Sequence, residues 1–204
     1  MKLNLLATTA AAALFALPTF AADSDYDYNE LSNLSGFYLG AYGGYGWNTL
    51  DTAGFEPDVD GWDYGVMVGY QADYLLDQTI NRIGLGLNGA IEVHYGWSDA
   101  DETASGVSLE KNDEFGISFR PGLSFLNSEE LGVTPYGIIG YRNTEFEANG
   151  ADEDFDGFEL GIGTQLMAMG DYGVRLDYTH VWYEEQNGVD PDSDELRLGL
   201  SYHF

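Results

Sequence analysis

Cysteine is absent from the 204 residues, which excludes disulfides, thiol chemistry and a lipoprotein anchor. Basic residues are scarce: seven Lys plus Arg stand against 35 Asp plus Glu, for a formal net charge of −28. Phosphate recognition needs basic surface, so nucleic acid is excluded as a partner. Attachment through anionic headgroups alone is disfavoured for the same reason. Long hydrophobic runs are also missing beyond the first two dozen residues, so the rest of the chain carries no transmembrane helix. That absence leaves β-strands open as a means of crossing a bilayer. A barrel strand needs only about ten alternating residues and produces no hydropathy peak.

The one apolar run is at the start. Lys2 supplies a basic end, Leu5 to Leu17 an apolar centre, and Pro18-Thr19-Phe20-Ala21-Ala22 a small-residue exit. This is the pattern of a cleaved secretory signal over residues 1–22. Residues 23–35 are acidic and poor in aliphatics, and are expected to form a flexible lead into the first strand. Residues 36–204 have the length of a single domain of about eight strands.

Period-two alternation fills that domain and is strictest at its end. In Glu195–Phe204, Leu196, Leu198, Leu200, Tyr202 and Phe204 share one face, and Glu195, Arg197, Gly199, Ser201 and His203 share the other. Seven earlier segments repeat the pattern: Phe37–Trp47, Trp62–Ala72, Ile83–Trp97, Phe115–Phe125, Val133–Asn143, Gly157–Ala168 and Val174–Tyr183. Ile138 and Ile139 are adjacent, so the fifth segment is phased by Arg142, which is costly against hydrocarbon. Pro121 interrupts the fourth, where a bulge is the expected accommodation. Connections alternate between long acidic segments (Asn48–Gly61, Ser98–Glu114, Thr144–Asp156, Glu184–Asp194) and shorter ones (Asp73–Arg82, Leu126–Gly132, Met169–Gly173).

Alternation does not by itself say which face meets water. A soluble barrel of the lipocalin kind puts the apolar face inside. Here that face holds most of 15 Tyr, 11 Phe and 4 Trp, too much volume for eight strands to enclose. The other face is rich in Gly and has no Lys, unlike a strand surface made for water. The expected fold is therefore all-β, an eight-stranded antiparallel up-and-down transmembrane β-barrel with its polar face inside. Tyr45, Trp47, Trp62, Tyr64, Tyr95, Trp97 and Trp182 fall near the long-loop ends, as an interfacial aromatic girdle should.

The residues also resemble a known group. Gly36-Phe37-Tyr38-Leu39-Gly40 through Gly46, Arg120-Pro121-Gly122, Pro135-Tyr136-Gly137 and the terminal Leu-Gly-Leu-Ser-Tyr-His-Phe are similar to small bacterial outer-membrane β-barrels of the OmpA-membrane-domain, OmpX and opacity-protein type, the "porin family". The resemblance implies a Gram-negative outer membrane, long loops outside and both termini in the periplasm. It implies a terminal aromatic signal, Tyr202 and Phe204, read by the barrel-assembly machinery. Periplasmic chaperones, outer-membrane lipids and lipopolysaccharide are then the expected partners, and the barrel is expected to be a monomer.

Phasing turns Arg120, Arg142, Arg175 and Arg197 inward, together with Asp63, Glu92, Glu114, Glu159, Asp177 and Glu195. Mirroring strands about their connections sets Arg120 against Glu92 and Arg142 against Glu159. Buried charges are tolerable only when paired, so a lumen ion network of Glu92, Arg120, Arg142, Glu159, Arg175, Asp177 and Arg197 is expected. His94, His180 and His203 carry no recognisable nucleophile motif, so no catalysis is expected. Asp58-Val59-Asp60-Gly61 and Asp190-Pro191-Asp192 are only fragments of a calcium loop, and no metal ligand or cofactor is assigned. The expected role is structural, in envelope integrity, with acidic loops available for surface contacts. The rival readings are a small porin-like channel, an adhesin and an enzyme acting on lipid A. Deleting Phe204 should impair assembly more than secretion; wild-type yield of the heat-modifiable band in membrane fractions would refute the terminal-strand argument.

Overall fold

A computed structural model describes residues 35–52, 57–75, 85–104, 107–128, 131–148, 150–168, 171–186 and 188–204. The signal sequence, nearly all of the acidic lead and the start of the third expected strand (Ile83, Gly84) lie outside the described residues. The strands are β1 (Gly36–Thr52), β2 (Gly61–Leu75), β3 (Leu85–Ser98), β4 (Asp101–Ala104), β5 (Val107–Ser128), β6 (Leu131–Ala148), β7 (Ala151–Ala168), β8 (Tyr172–Tyr183) and β9 (Val189–His203). Every pairing is antiparallel, and the order β3-β2-β1-β9-β8-β7-β6-β5 closes on itself through β3–β5. The result is a closed eight-stranded up-and-down barrel. β4 pairs only with β5 and continues β3 along it: Ser98, Asp99 and Ala100 oppose just Lys111 and Asn112, a bulge. The first and last strands meet, with Tyr38 paired to His203 and the Phe204 amide donating to the Phe37 carbonyl at 2.9 Å.

Leucine, phenylalanine and tyrosine alternate outward around the whole circumference. The phase set by Arg142 holds: Ile138 is 0 % exposed and Ile139 47 %. Aromatic residues bound this outer band at both ends. At the loop end Tyr45 packs edge-on against Trp47 and Trp62, and Tyr95 against Trp97. At the end carrying the C-terminus Tyr202 packs against Tyr172 and Phe204, and Phe37 against Tyr70. Trp62 to Tyr70, at about 3.3 Å per residue and a tilt of about 40°, spans roughly 20 Å of hydrocarbon. Outward carboxylates begin at its upper edge, where the hydroxyls of Tyr95, Tyr141 and Tyr178 donate to Asp113, Asp156 and Asp194.

The structure corrects two expectations. Pro121 makes no bulge: the β5–β6 register is the same at Phe119↔Ile139 and Gly122↔Tyr136, and its shifts fall at Lys111/Glu114 and Leu126/Ser128. The proline sits between those rungs, so no shift of register is needed. Secondly, the acidic connections are largely strand. β1 runs to Thr52, β5 starts at Val107, and β6 and β7 pair as far as Ala148↔Ala151. Composition suggested loops there, but a hairpin standing above the bilayer can point carboxylates outward freely. The missed signal was local. Asn149-Gly150 and Asn187-Gly188 are two-residue turn sequences, and Gly150 and Gly188 have φ of 80° and 79°.

Lumen glycines make room for larger neighbours. A methyl group on Gly163 would enter the Tyr136 ring and the Asp177 carboxylate, and one on Gly65 would meet the Tyr42 phenol at 2.6 Å. A methyl on outward Gly43 would have its nearest neighbour at 3.9 Å. Gly163→Ala should therefore lose about 1–3 kcal/mol through overpacking, while Gly43→Ala stays within about 1 kcal/mol of wild type. Denaturant unfolding of the barrel in lipid checks both.

Candidate functional site

The inward side chains stack in layers. Nearest the chain termini, the Asp73 carboxylate accepts from Gln71 Nε2 and Asn88 Nδ2, both at 2.9 Å, and from Ser124 Oγ at 2.8 Å. Above it Glu92 (β3) lies between Arg120 (β5) and Arg175 (β8). Arg120 Nη2 and Arg175 Nη2 each donate to Glu92 Oε1 at 2.9 Å, while Arg175 Nη1 and the Tyr38 hydroxyl donate to Oε2. Asp177 joins the group, accepting from Arg120 Nη1 at 2.9 Å and from the Tyr136 hydroxyl at 2.5 Å. Two cations meet two carboxylates in this layer.

The next layer is larger. Arg142 (β6) donates to Glu159 Oε1 at 2.6 Å and Glu195 Oε2 at 2.5 Å, with Glu114 Oε2 at 3.5 Å. Arg197 (β9) bridges Glu195 and Glu114, and its guanidinium lies 4.6 Å from the Tyr42 ring centroid. Lys111 (β5) completes it: Nζ is 2.8 Å from Glu195, and 3.2 Å from both Asp63 and Glu114. His94 fills the space between Arg197 and Glu114. Arg142, Glu92 and Glu195 are 0 % exposed, and Lys111 and Glu159 1 %. At this burial the ions depend on their partners to replace hydration, which is why every guanidinium is shared between at least two acceptors.

Glu92, Arg120, Arg142, Glu159, Arg175, Asp177 and Arg197 turn into the lumen, joined by the contacts above. Arg120 reaches Glu92 and Arg142 reaches Glu159, but diagonally, since in register Glu92 faces Ser118 and Glu159 faces Gly140. Asp63, Glu114 and Glu195 are there too. Sequence reasoning missed Lys111, which lay in an assumed loop. Alternation could not have placed it, because the Lys111/Glu114 register shift reverses the phase between it and the rest of β5.

The histidines separate. His180 is on the outer face, with Nδ1 2.9 Å from Asp194 and its ring 4.2 Å from Trp182. His203 Nε2 lies 3.1 Å from Ser201 Oγ, yet its Nδ1 has no hydrogen-bond partner among the described residues. Among the described residues no carboxylate hydrogen-bonds that imidazole, so the pair there lacks the third member of a hydrolytic triad. No group of three or more His, Asp or Glu able to hold a metal occurs among the described residues.

A closed barrel with an apolar exterior, paired aromatic belts and charged interior is the construction of a small integral outer-membrane protein. The comparisons with known proteins agree. The chain belongs to the family described as outer membrane protein beta-barrel domain, matched over residues 7–204. It is 24% identical over 217 residues to the 25 kDa outer-membrane immunogenic protein of Brucella ovis, with 98% of each chain covered. The protein of the same name from Brucella canis is 25% identical over 225 residues, again with 98% of each covered. Among solved structures, Neisserial surface protein A matches with a TM-score of 0.52 at 15% identity, covering 83% of this chain and 98% of its own, a likeness of fold. The protein is thus an outer-membrane β-barrel of Gram-negative type.

Arg142 tests the network most directly. Arg142→Met should cost roughly 3–5 kcal/mol of unfolding free energy by leaving Glu159 and Glu195 short of a countercharge. Arg142→Lys should cost less, because it keeps the charge and loses only the fork. Urea titration of each variant in vesicles provides the comparison.

Proposed function

We propose that this barrel is a structural component of the outer membrane, closed to solutes by its lumen network, with its long acidic hairpins on the cell surface. The observation that carries the reading is the pair of ion-paired layers crossing the interior. An eight-stranded interior is one that side chains can fill. Here Tyr38, Tyr42, Met67, Tyr136 and the charged groups fill it, each buried. Residues 1–22 fit export by a cleaved signal, and Tyr202 and Phe204 at the barrel seam fit recognition by assembly machinery. Lipopolysaccharide and membrane lipid are the natural neighbours of the apolar band. The orientation rests on the start of β1 and the end of β9 lying together, opposite the long hairpins, and on relatives named outer-membrane immunogenic proteins. We read the chain as non-catalytic, since neither outer-face nor seam histidine has a nucleophile and an orienting acid together.

The second reading is a small porin-like channel, in which ions would pass along the charged groups that line the lumen. Single-channel recording in planar bilayers separates the two. The wild-type barrel should show no large, long-lived open steps, whereas Glu92→Ala and Arg120→Ala should flicker open more often. Large wild-type steps unchanged in both variants would overturn the closed lumen in favour of the channel.

A further inference from the structure

Above the ion layers the interior changes character. Each inward column that is polar at mid-height turns apolar towards the loop end: Asn48 is followed by Leu50, Thr144 by Phe146, Gly157 by Phe155, and Thr179 by Val181 and Tyr183. These residues form one buried cluster with Val59 and Ala100, against which Leu109 and Val189 pack. A barrel mouth opening to water gains nothing from such a lining unless the lining is covered. Beside the cluster lies a cavity of about 460 Å³ walled by Leu50, Leu109, Phe146, Phe155 and Val189. That volume is within the range of small-molecule sites, about 300–1,000 Å³.

The rim has one sign. Glu147, Asp152 and Glu153 line the cavity, and Glu147 and Asp152 stand directly opposite each other across β6 and β7. Like charges facing across a ladder are unfavourable until a cation comes between or beside them. Among the described residues no Lys, Arg or His lines the cavity, and Lys111 beneath is held by three carboxylates. An anionic amphiphile such as a fatty acid would meet this rim on a chain of net charge −28.

We infer that this cavity is a binding site for a small amphipathic cation, its hydrocarbon or aromatic body on the Phe146–Phe155 wall and its protonated amine against Glu147 and Asp152. The site is separate from the lumen network and does not require the lumen to be closed. The test uses the full barrel in lipid nanodiscs, which leave both ends accessible, titrated with a dansyl-labelled alkylamine. The N-acetylated form and a dansyl fatty acid of equal length are the comparisons, and signal from empty discs is subtracted. The amine should bind saturably and at least tenfold more tightly than either comparison probe. Ala148→Trp, at an exposed position that lines the cavity beside the turn, should abolish binding of the amine. Ala151→Trp on the facing strand is the substitute if the first variant lacks a heat-modifiable folded band. Glu147→Gln combined with Asp152→Asn should lower the amine to the affinity of its neutral form. Binding no greater than in empty discs, equal affinity for the amine and either comparison probe, or binding unchanged in both tryptophan variants would overturn the proposal.

Discussion

The bilayer offers no water to an unpaired amide, and the rest of the structure follows from that. Within hydrocarbon a sheet edge is too costly to leave open, so the β3–β5 pairing that closes the ring is obligatory rather than incidental. Closure at eight strands then encloses a narrow space that must be filled, and alternation dictates that the polar face fills it. The polar face of this chain carries guanidiniums, an ammonium and carboxylates. Their burial is tolerable only with near-matched charge: Arg120, Arg142, Arg175, Arg197 and Lys111 against Glu92, Asp177, Asp63, Glu114, Glu159 and Glu195. The glycines are the complement of those long side chains, as Gly163 is of Tyr136 and Asp177.

What could be read in advance was what depends on period two. Face assignment, strand count and closure follow from alternation, and so does the inward position of Arg142 once Ile138 and Ile139 are seen to conflict. Pairing partners across the lumen were harder. Beyond Arg120–Glu92 and Arg142–Glu159, contacts join residues on non-adjacent strands: Arg197 to Glu114, Arg175 to Glu92, Lys111 to Glu195. Mirroring hairpins about their turns can compare only neighbours, and it misses the stagger between them. Lys111 was lost for a different reason, a bulge that breaks the parity on which the method rests. The acidic hairpins were lost because acidic composition outweighed the Asn-Gly sequences at positions 149–150 and 187–188.

Along the barrel axis the interior passes from amide and hydroxyl hydrogen bonds onto Asp73, through two ion-paired layers, to the apolar cluster at Leu50 and Phe146. The exterior runs the other way, apolar at mid-height and acidic beyond the aromatic belt. Each inversion has the same cause. Where the outside is lipid, the inside takes the polar residues of an alternating strand. Where the hairpins rise into water, the same alternation frees the outer face for Asp and Glu, and apolar residues go inside to hold the hairpins together. The Phe146–Phe155 and Phe146–Tyr183 edge contacts, at 5.8 and 5.9 Å, tie β6, β7 and β8 together above the membrane.

A hydrophobic filling of equal volume would have matched the ion layers in stability, since buried ion pairs recover little beyond their own desolvation. What such a filling would lose is register. Slipping one strand by a single residue exchanges its faces. For β9 that slip would point Glu195 and Arg197 at lipid and draw Leu196 and Leu198 into a layer where Lys111 and Arg142 need carboxylates. Arg or Lys at the midplane of an outer-membrane barrel costs about 2–4 kcal/mol, and the carboxylates and cations left behind would each lose their partners. With leucine on both faces the same slip would cost almost nothing. The charged lumen is thus a device for specifying which residues face which.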